Sequence, residues 1–310
     1  MRPRPRFRDM PCAPVAPIYL GATVVVRAGS QASPNPLALK SPDSYPLAIH
    51  EIQFGFRTPN SSGLPLVSSN NVAVQLSLGA YKVTSSFIPL GLFPDQAPTA
   101  TVSTGTDQQG FNFVWRLDSP LYLPPGAILV PTFRNVGQSQ NDATVFVQYN
   151  CSVLPALPRM VSIPYVSAWT GKSLVFANAD TDNSAENDLV NDTDSPLVLD
   201  KLTGVAAYID SSTSIAIDHD LQYARAGGSV GQIVQLKIHD SDDRAIVDTF
   251  TAWDLVFPYG SRKFPIRGVT LAQRKYLKVY VNKLAPGLAL SGDQLQLSVA
   301  MFGHRDVRGS

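Results

Sequence analysis

Cysteine is nearly absent from this 310-residue chain, which carries only Cys12 and Cys151. Two thiols cannot build a disulfide framework, and a chain of this length needs none to support a small core. Histidine is equally scarce. His50, His219, His239 and His304 never stand two apart, which excludes a His-x-His metal pair on a strand. No run approaches the ~20 apolar residues of a membrane-crossing helix. Asp9, Pro11, Pro14 and Pro17 break up the stretch between the basic start and Ala22–Val26, so no export signal is read there. No segment combines a sustained 3.6-residue apolar period with a preceding cap, so any helix is expected to be short and to sit in a loop. Formal net charge is only +1. What electrostatic character the chain has must therefore lie in how its charges are distributed.

Proline and short alternating segments are plentiful. The 25 prolines and 21 glycines argue further against long helices, and the length suggests two units of ~150 residues. Period-two alternation dominates. Val72, Val74, Leu76 and Leu78 face one way, with Ala73, Gln75 and Ser77 facing the other. The pattern recurs at Ile52/Phe54/Phe56, Phe111/Phe113/Trp115/Leu117, Val145/Val147/Tyr149, Val234/Leu236/Ile238, Leu277/Val279/Val281 and Leu295/Leu297/Val299/Met301. Turn-rich stretches at 58–63, 95–110, 137–142 and 180–194 separate these strands. Many short strands with polar connections predict a sandwich or barrel.

The chain also repeats itself once. Asp43-Ser44-Tyr45-Pro46-Leu47-Ala48-Ile49 resembles Asp194-Ser195-Pro196-Leu197-Val198-Leu199, with Pro46 and Pro196 150 positions apart. At the far end of each half, 142–149 resembles 292–299, with Val145 and Leu295 again 150 apart. Between them 74–78 matches 234–238, 87–94 matches 250–258, and 113–133 matches 264–282. A candidate first strand opens each half, at 19–27 and 172–177. The predicted organisation is an arm over 1–18, a first barrel over 19–154, a linker over 155–164 and a second barrel over 165–310.

About eight strands in ~150 residues is the size of a jelly roll. The fold class expected is all-β, two tandem eight-stranded jelly-roll barrels. In length, tandem repeat, short linker and basic arm the chain resembles the double jelly-roll major capsid proteins of tailless, membrane-containing bacteriophages and adenovirus-like viruses. That resemblance implies a non-enzymatic shell protein of the virion, made in the host cytoplasm. It implies a homotrimer of pseudo-hexagonal outline tiling an icosahedral shell, with an internal membrane beneath as one arrangement. The implied partners are itself, other capsid proteins such as vertex proteins, and lipid membrane or packaged genome through the arm; no cofactor is implied. The alternative is a double jelly-roll glycan-binding protein or a metal-independent glycan-active hydrolase.

Candidate chemistry is sparse. The missing His-x-His pair argues against a metal-dependent bicupin. Asp218-His219-Asp220 places two carboxylates on one face of a strand with the imidazole on the other, while His239-Asp240-Ser241-Asp242-Asp243 is better read as a hairpin turn. The acidic stretch Asp180–Asp188 lacks the glycine and glutamate of a calcium loop, having Ala185 and Asn191 at those positions. Asn60, Asn150 and Asn191 open glycosylation sequons, which matter only in a secretory pathway. No catalytic, cofactor or metal residue is assigned.

Two basic features stand out. Arg2, Arg4, Arg6 and Arg8 alternate with Pro3 and Pro5 on a backbone biased to polyproline II, a candidate membrane- or genome-facing arm. Arg262, Lys263, Arg267, Arg274 and Lys275 form a candidate basic surface, continued by Lys278 and Lys283, with no Asp or Glu between Leu255 and Gly292.

Overall fold

The computed structural model describes residues 18–26, 31–32, 38–59, 72–79, 81–93, 101–102, 108–135, 142–158, 160–169, 174–177, 183–209, 216–218, 234–258, 262–266, 268–284 and 294–308. The first half contributes β1 (Ile18–Val26), β2 (Gln31–Ala32), β3 (Leu39–Lys40), β4 (Leu47–Pro59), β5 (Val72–Leu78), β6 (Tyr81–Lys82), β7 (Ile88–Pro89), β8 (Thr101–Val102), β9 (Gln108–Leu123), β10 (Ile128–Asn135) and β11 (Ala143–Val153). The second contributes β12 (Met160–Ala168), β13 (Leu174–Ala177), β14 (Asn183–Val190), β15 (Leu197–Ile209), β16 (Ala216–Asp218), β17 (Val234–Asp240), β18 (Ala245–Ala252), β19 (Lys263–Pro265), β20 (Thr270–Leu271), β21 (Tyr276–Lys283) and β22 (Gln294–Arg308). Helical structure among the described residues is confined to single turns, at Leu90–Leu92 and Trp253–Val256.

Each half makes two facing sheets. In the first, one sheet runs β1-β11-β4-β9-β8 and the other β2-β10-β5-β6, with β3 against β10 and β7 against β5. In the second, one sheet runs β12-β22-β15-β16, with β13 on β22 and β19 and β20 on β15; the other runs β14-β21-β17-β18. The first strand of each half pairs with the last, and the chain alternates between sheets on its way. That is jelly-roll connectivity, twice over. The alternating residues fill the two interiors: Ile52, Phe54, Phe56, Val74, Leu76, Val145 and Val147 in one, Leu236, Ile238, Val279, Leu295, Leu297 and Met301 in the other.

The duplication extends to individual hydrogen bonds. Before β4, Ser41 N–H donates to Ala127 O at 2.8 Å and its Oγ donates to Tyr45 O at 2.9 Å. Before β15, 150 residues on, Asn191 N–H donates to Lys275 O at 2.9 Å and its Nδ2 donates to Ser195 O at 3.1 Å. Four residues into β4, His50 drops out of register with β11; four into β15, Asp200 drops out of register with β22. Each bulged side chain then reaches the neighbouring strand. His50 Nε2 lies 2.8 Å from Ser152 Oγ, and Asp200 Oδ1 lies 3.0 Å from His304 Nδ1. A bulge re-aims one side chain at the cost of local pairing, and its recurrence after 150 residues marks the halves as copies of one design.

Some local expectations differ from what is observed, and β8 with the start of β9 falls inside the predicted turn-rich stretch 95–110. Residues 183–190 fall in the predicted turn-rich stretch but form β14, paired along its whole length with β21. Its Asn, Ser and Glu content is poor for a strand, and the cross-strand partners Val279 and Val281 together with the Lys278–Glu186 ion pair override that propensity. The strand Met160–Ala168 begins within 155–164 and extends along β22, ahead of the short β13 anticipated as the opening strand.

The barrels meet through an apolar contact. Ile163, Val166, Ala168, Val205, Ala300 and Phe302 of the second half belong to the core cluster of the first. Phe302 sits 5.9 Å from the Phe93 ring and 5.8 Å from Trp115, edge to face in both cases. The sheet carrying β15 and β22 is therefore covered on both faces. Leu199, Leu202, Leu297 and Met301 point into their own barrel, while Lys201, Thr203, Val205, Ala300 and Phe302 point at the other.

Candidate assembly surfaces

Polar groups bind this contact as well as apolar ones. Thr203 Oγ1 donates to Leu92 O at 2.8 Å, and Arg262 Nη1 donates to Gly91 O at 3.3 Å. Val166 N–H donates to Val83 O at 2.9 Å, and Ser85 N–H donates to Val166 O at 2.8 Å. Lys201, nearly buried, places Nζ 3.2 Å from Asp118 of the first barrel and 5.8 Å over the Phe302 ring. Arg305 pairs with Asp194 and lies over Tyr81 of the first barrel. Apolar burial with directional polar ties is the composition of a specific interface.

The predicted basic surface is not gathered into one patch. Arg262 is only 6 % exposed, at a left-handed backbone position, and serves the barrel–barrel contact. Lys263 is exposed on β19. Arg274, also left-handed, occupies a turn with its N–H on Asn191 O, and Lys275 Nζ sits 2.7 Å from Asp242. Lys278 pairs with Glu186, and Lys283 is fully buried. Arg267 and the arm residues Arg2, Arg4, Arg6 and Arg8 lie outside the described residues.

The candidate carboxylates divide in the same way. His219 and Asp220 lie outside the described residues, as do Asp180–Asp182. Around Asp240 the expected hairpin turn is present. Asp240 Oδ1 accepts the N–H groups of Asp242 and Arg244, both at 2.9 Å, and Oδ2 accepts Arg244 Nε at 2.7 Å. Burial opposes ionisation of this carboxyl, but the two backbone donors and the guanidinium outweigh it and hold the group below the usual aspartate range. Asp240→Asn is therefore expected to cost about 1–3 kcal/mol at neutral pH. Because the folded-state value is depressed, the contribution is fully present above about pH 4 and is lost as pH falls below it. Urea midpoints of the two proteins should thus differ at pH 7 and converge in acid.

No three His, Cys, Asp or Glu side chains among the described residues come together as a metal site. Cys151 is buried beside Tyr149, and burial pushes its thiol up to about 12, far from a thiolate at neutral pH. Burial raises Asp200 above the ordinary carboxylate value, and its hydrogen bond with His304 offsets only part of this. Asn191, the third sequon, is fully buried with Nδ2 bonded to three carbonyls, so the folded chain cannot be glycosylated there.

The described surface displays large apolar side chains on both halves, Val25, Tyr45, Tyr81, Ile128 and Val153 on the first and Phe250 and Leu255 on the second. Leu255 is 73 % exposed and Phe250 48 % exposed. Neither stands out in the sequence, since both fall where β18 runs into the one-turn helix and alternation is lost. The barrel–barrel face left a visible mark: in Val299-Ala300-Met301-Phe302 alternation gives way to a continuous apolar run, as expected of a strand covered on both faces.

Two sandwiches of like strand order, joined in one chain and packed side to side, define a double jelly roll. No protein-family model matches the chain, and no curated protein matches it in sequence. Among solved structures, a chain in the atomic structure of Sulfolobus turreted icosahedral virus superposes with a TM-score of 0.51 at 12% identity, over 94% of this chain and 90% of that one. A crystal structure of the STIV MCP matches with a TM-score of 0.47 at 9% identity, over 93% of this chain and 96% of that one. The major capsid protein P2 from bacteriophage PM2 matches at 0.40 and 10%, over 94% and 98% respectively. At such identities the likeness is one of fold.

Proposed function

We propose that this protein is a viral major capsid protein that self-assembles as a homotrimer of six barrels and tiles an icosahedral shell. The observation that carries the proposal is the barrel–barrel contact. One barrel offers the outer face of a sheet, the other an edge, so the contact is heterologous, and heterologous contacts repeated by rotation close into rings. Three chains would place six similar barrels around one axis, giving a near-hexagonal block that tiles a surface. Function then resides in rigid shape and side-to-side contacts, with no residue assigned to catalysis. The name of the matched virus structure is consistent with this role.

The basic arm gives the block an inner side. Arg2, Arg4, Arg6 and Arg8 on an extended Pro-alternating backbone suit the phosphates of lipid headgroups or packaged nucleic acid, each contributing ~1 kcal/mol near an anionic surface. The remaining members of the basic set that are exposed, Lys263 and Arg274, suit contacts between blocks.

Light scattering coupled to size-exclusion chromatography tests the assembly. The expected species has three times the 33.4 kDa chain mass, or is a larger lattice built from it. A strict monomer at micromolar concentration overturns the proposal.

A further inference from the structure

The contact inside each chain uses one sheet face and one edge, and each chain carries a second copy of both. The used face lies on the second barrel, where the cross-strand pairs Lys201/Phe302, Thr203/Ala300 and Val205/Ser298 look toward the first barrel. Their counterparts on the first barrel, at the same distances from the shared bulge, are Glu51/Asn150, Gln53/Gln148 and Gly55/Phe146. The used edge lies on the first barrel at Leu90–Phe93, whose Gly91 and Leu92 carbonyls accept bonds from Arg262 and Thr203. Its counterpart on the second barrel is the turn Trp253–Phe257. Phe93 and Phe257 play the same part in the two barrels, Phe93 against Phe54 and Phe257 against Gly204, the residue 150 positions after Phe54. That alignment puts Leu255 at the position of Gly91, where in the first barrel the chain meets its neighbour.

We propose that the second-barrel edge formed by β18 and the Trp253–Val256 turn, with Phe250 and Leu255 outermost, docks on the outer face of the β4–β11–β9 sheet of another copy of this chain. The inference rests on the self-assembly proposed above and specifies which surfaces meet. The two unused surfaces suit each other. The edge carries Leu255 at 73 % and Phe250 at 48 % exposure. The face is flat and half-buried: Gly55 has no side chain, and the Phe146 ring lies across it so closely that a Cβ would fall within 1.9 Å of the ring. Around that aromatic platform stand Gln53 and Gln148, with Glu51 tied to Gln53 Nε2 at 2.7 Å and to Arg116 at 3.2 Å. An apolar centre with a hydrogen-bonding rim is the composition of an interface between separately folded partners. The corresponding face on the second barrel, which never has to be exposed, is built from Val205, Ala300 and Phe302 instead. The occupant is a second copy rather than an unrelated protein because the fold already joins the same kind of face to the same kind of edge within one chain.

Two variants test this. Leu255→Asp places a charge at an exposed position, so its melting temperature should match wild type when both are diluted to monomers, while light scattering shows at least a tenfold loss of trimer at concentrations where wild type is assembled. In a Cys12→Ser background, Leu255→Cys combined with Gln53→Cys should give a covalent trimer on oxidation that neither single cysteine variant forms. If wild type assembles but Leu255→Asp assembles equally well, or the cysteine pair gives no covalent trimer, the docking is overturned and the shell-protein proposal stands. A wild-type monomer overturns both.

Discussion

Phe302→Ala is expected to lower stability by about 3–5 kcal/mol and to split thermal unfolding into two transitions. The size follows from removing a buried aromatic and leaving a cavity that its neighbours fill only in part. Phe302 is 2 % exposed, packs edge to face with Phe93 and Trp115, and carries the Lys201 ammonium over its ring. The splitting follows from where the ring sits. It belongs to the second barrel by chain position but to the first barrel's core by contact, so it couples the two units. Wild type should melt in a single calorimetric transition because unfolding either barrel exposes apolar surface on the other. Truncating Phe302 weakens that coupling and loosens the first barrel's core at Phe93 and Trp115, while leaving the second barrel's interior in place. A single transition at an unchanged temperature would show that the barrels are coupled by other means.

Gly204→Val is the second large effect, expected to cost about 3 kcal/mol or more, at the top of the usual range for overpacking. A Cβ at Gly204 would stand 2.3 Å from Cδ2 of Phe257. The ring cannot retreat, because it is buried and backs onto Trp253 with 4.9 Å between centroids. In a denaturant titration, Phe257→Leu in the Gly204→Val background should recover part of the loss, giving a coupling of about 0.5–3 kcal/mol in the double-mutant cycle. Gly55→Ala is the control. There the obstructing ring is Phe146, half-exposed on an outer face, which in the unassembled chain has solvent to swing into, so a much smaller effect is expected for dilute monomer despite the closer approach. Equal costs at the two glycines would mean that Phe146 is held as firmly as Phe257.

Much of the barrel interior was legible because period-two alternation reports a face directly. Phe54, Val74, Val145, Leu236, Val279 and Leu297, assigned to core-facing sides from alternation alone, are all fully buried or nearly so. The repeat was legible for a related reason: the Pro46 and Pro196 turns open equivalent strands, and the offset of 150 carries through to the turn bonds of Ser41 and Asn191. Other features were not. Asn183–Val190 is a strand because its partner β21 makes it one, and no local signal in a polar segment announces such a partner. Arg262 read as surface charge by type, yet it is buried where its guanidinium finds the Gly91 carbonyl. Leu255 and Phe250 fall in the repeated segment 250–258, but nothing in that match marks them as exposed, because exposure at a turn depends on what packs nearby.

The sequence by itself determined that the chain is all-β and that it contains one barrel design twice, since both properties reside in local alternation and in a repeat readable along the chain. Only the tertiary structure decided how the two copies are joined, which faces that joining covers and which it leaves open. Those outcomes depend on side chains far apart in the chain meeting across a surface: Thr203 with Leu92, Phe302 with Phe93, Lys201 with Asp118. Alternation states that a residue faces out of its own barrel, but not whether a second barrel lies there.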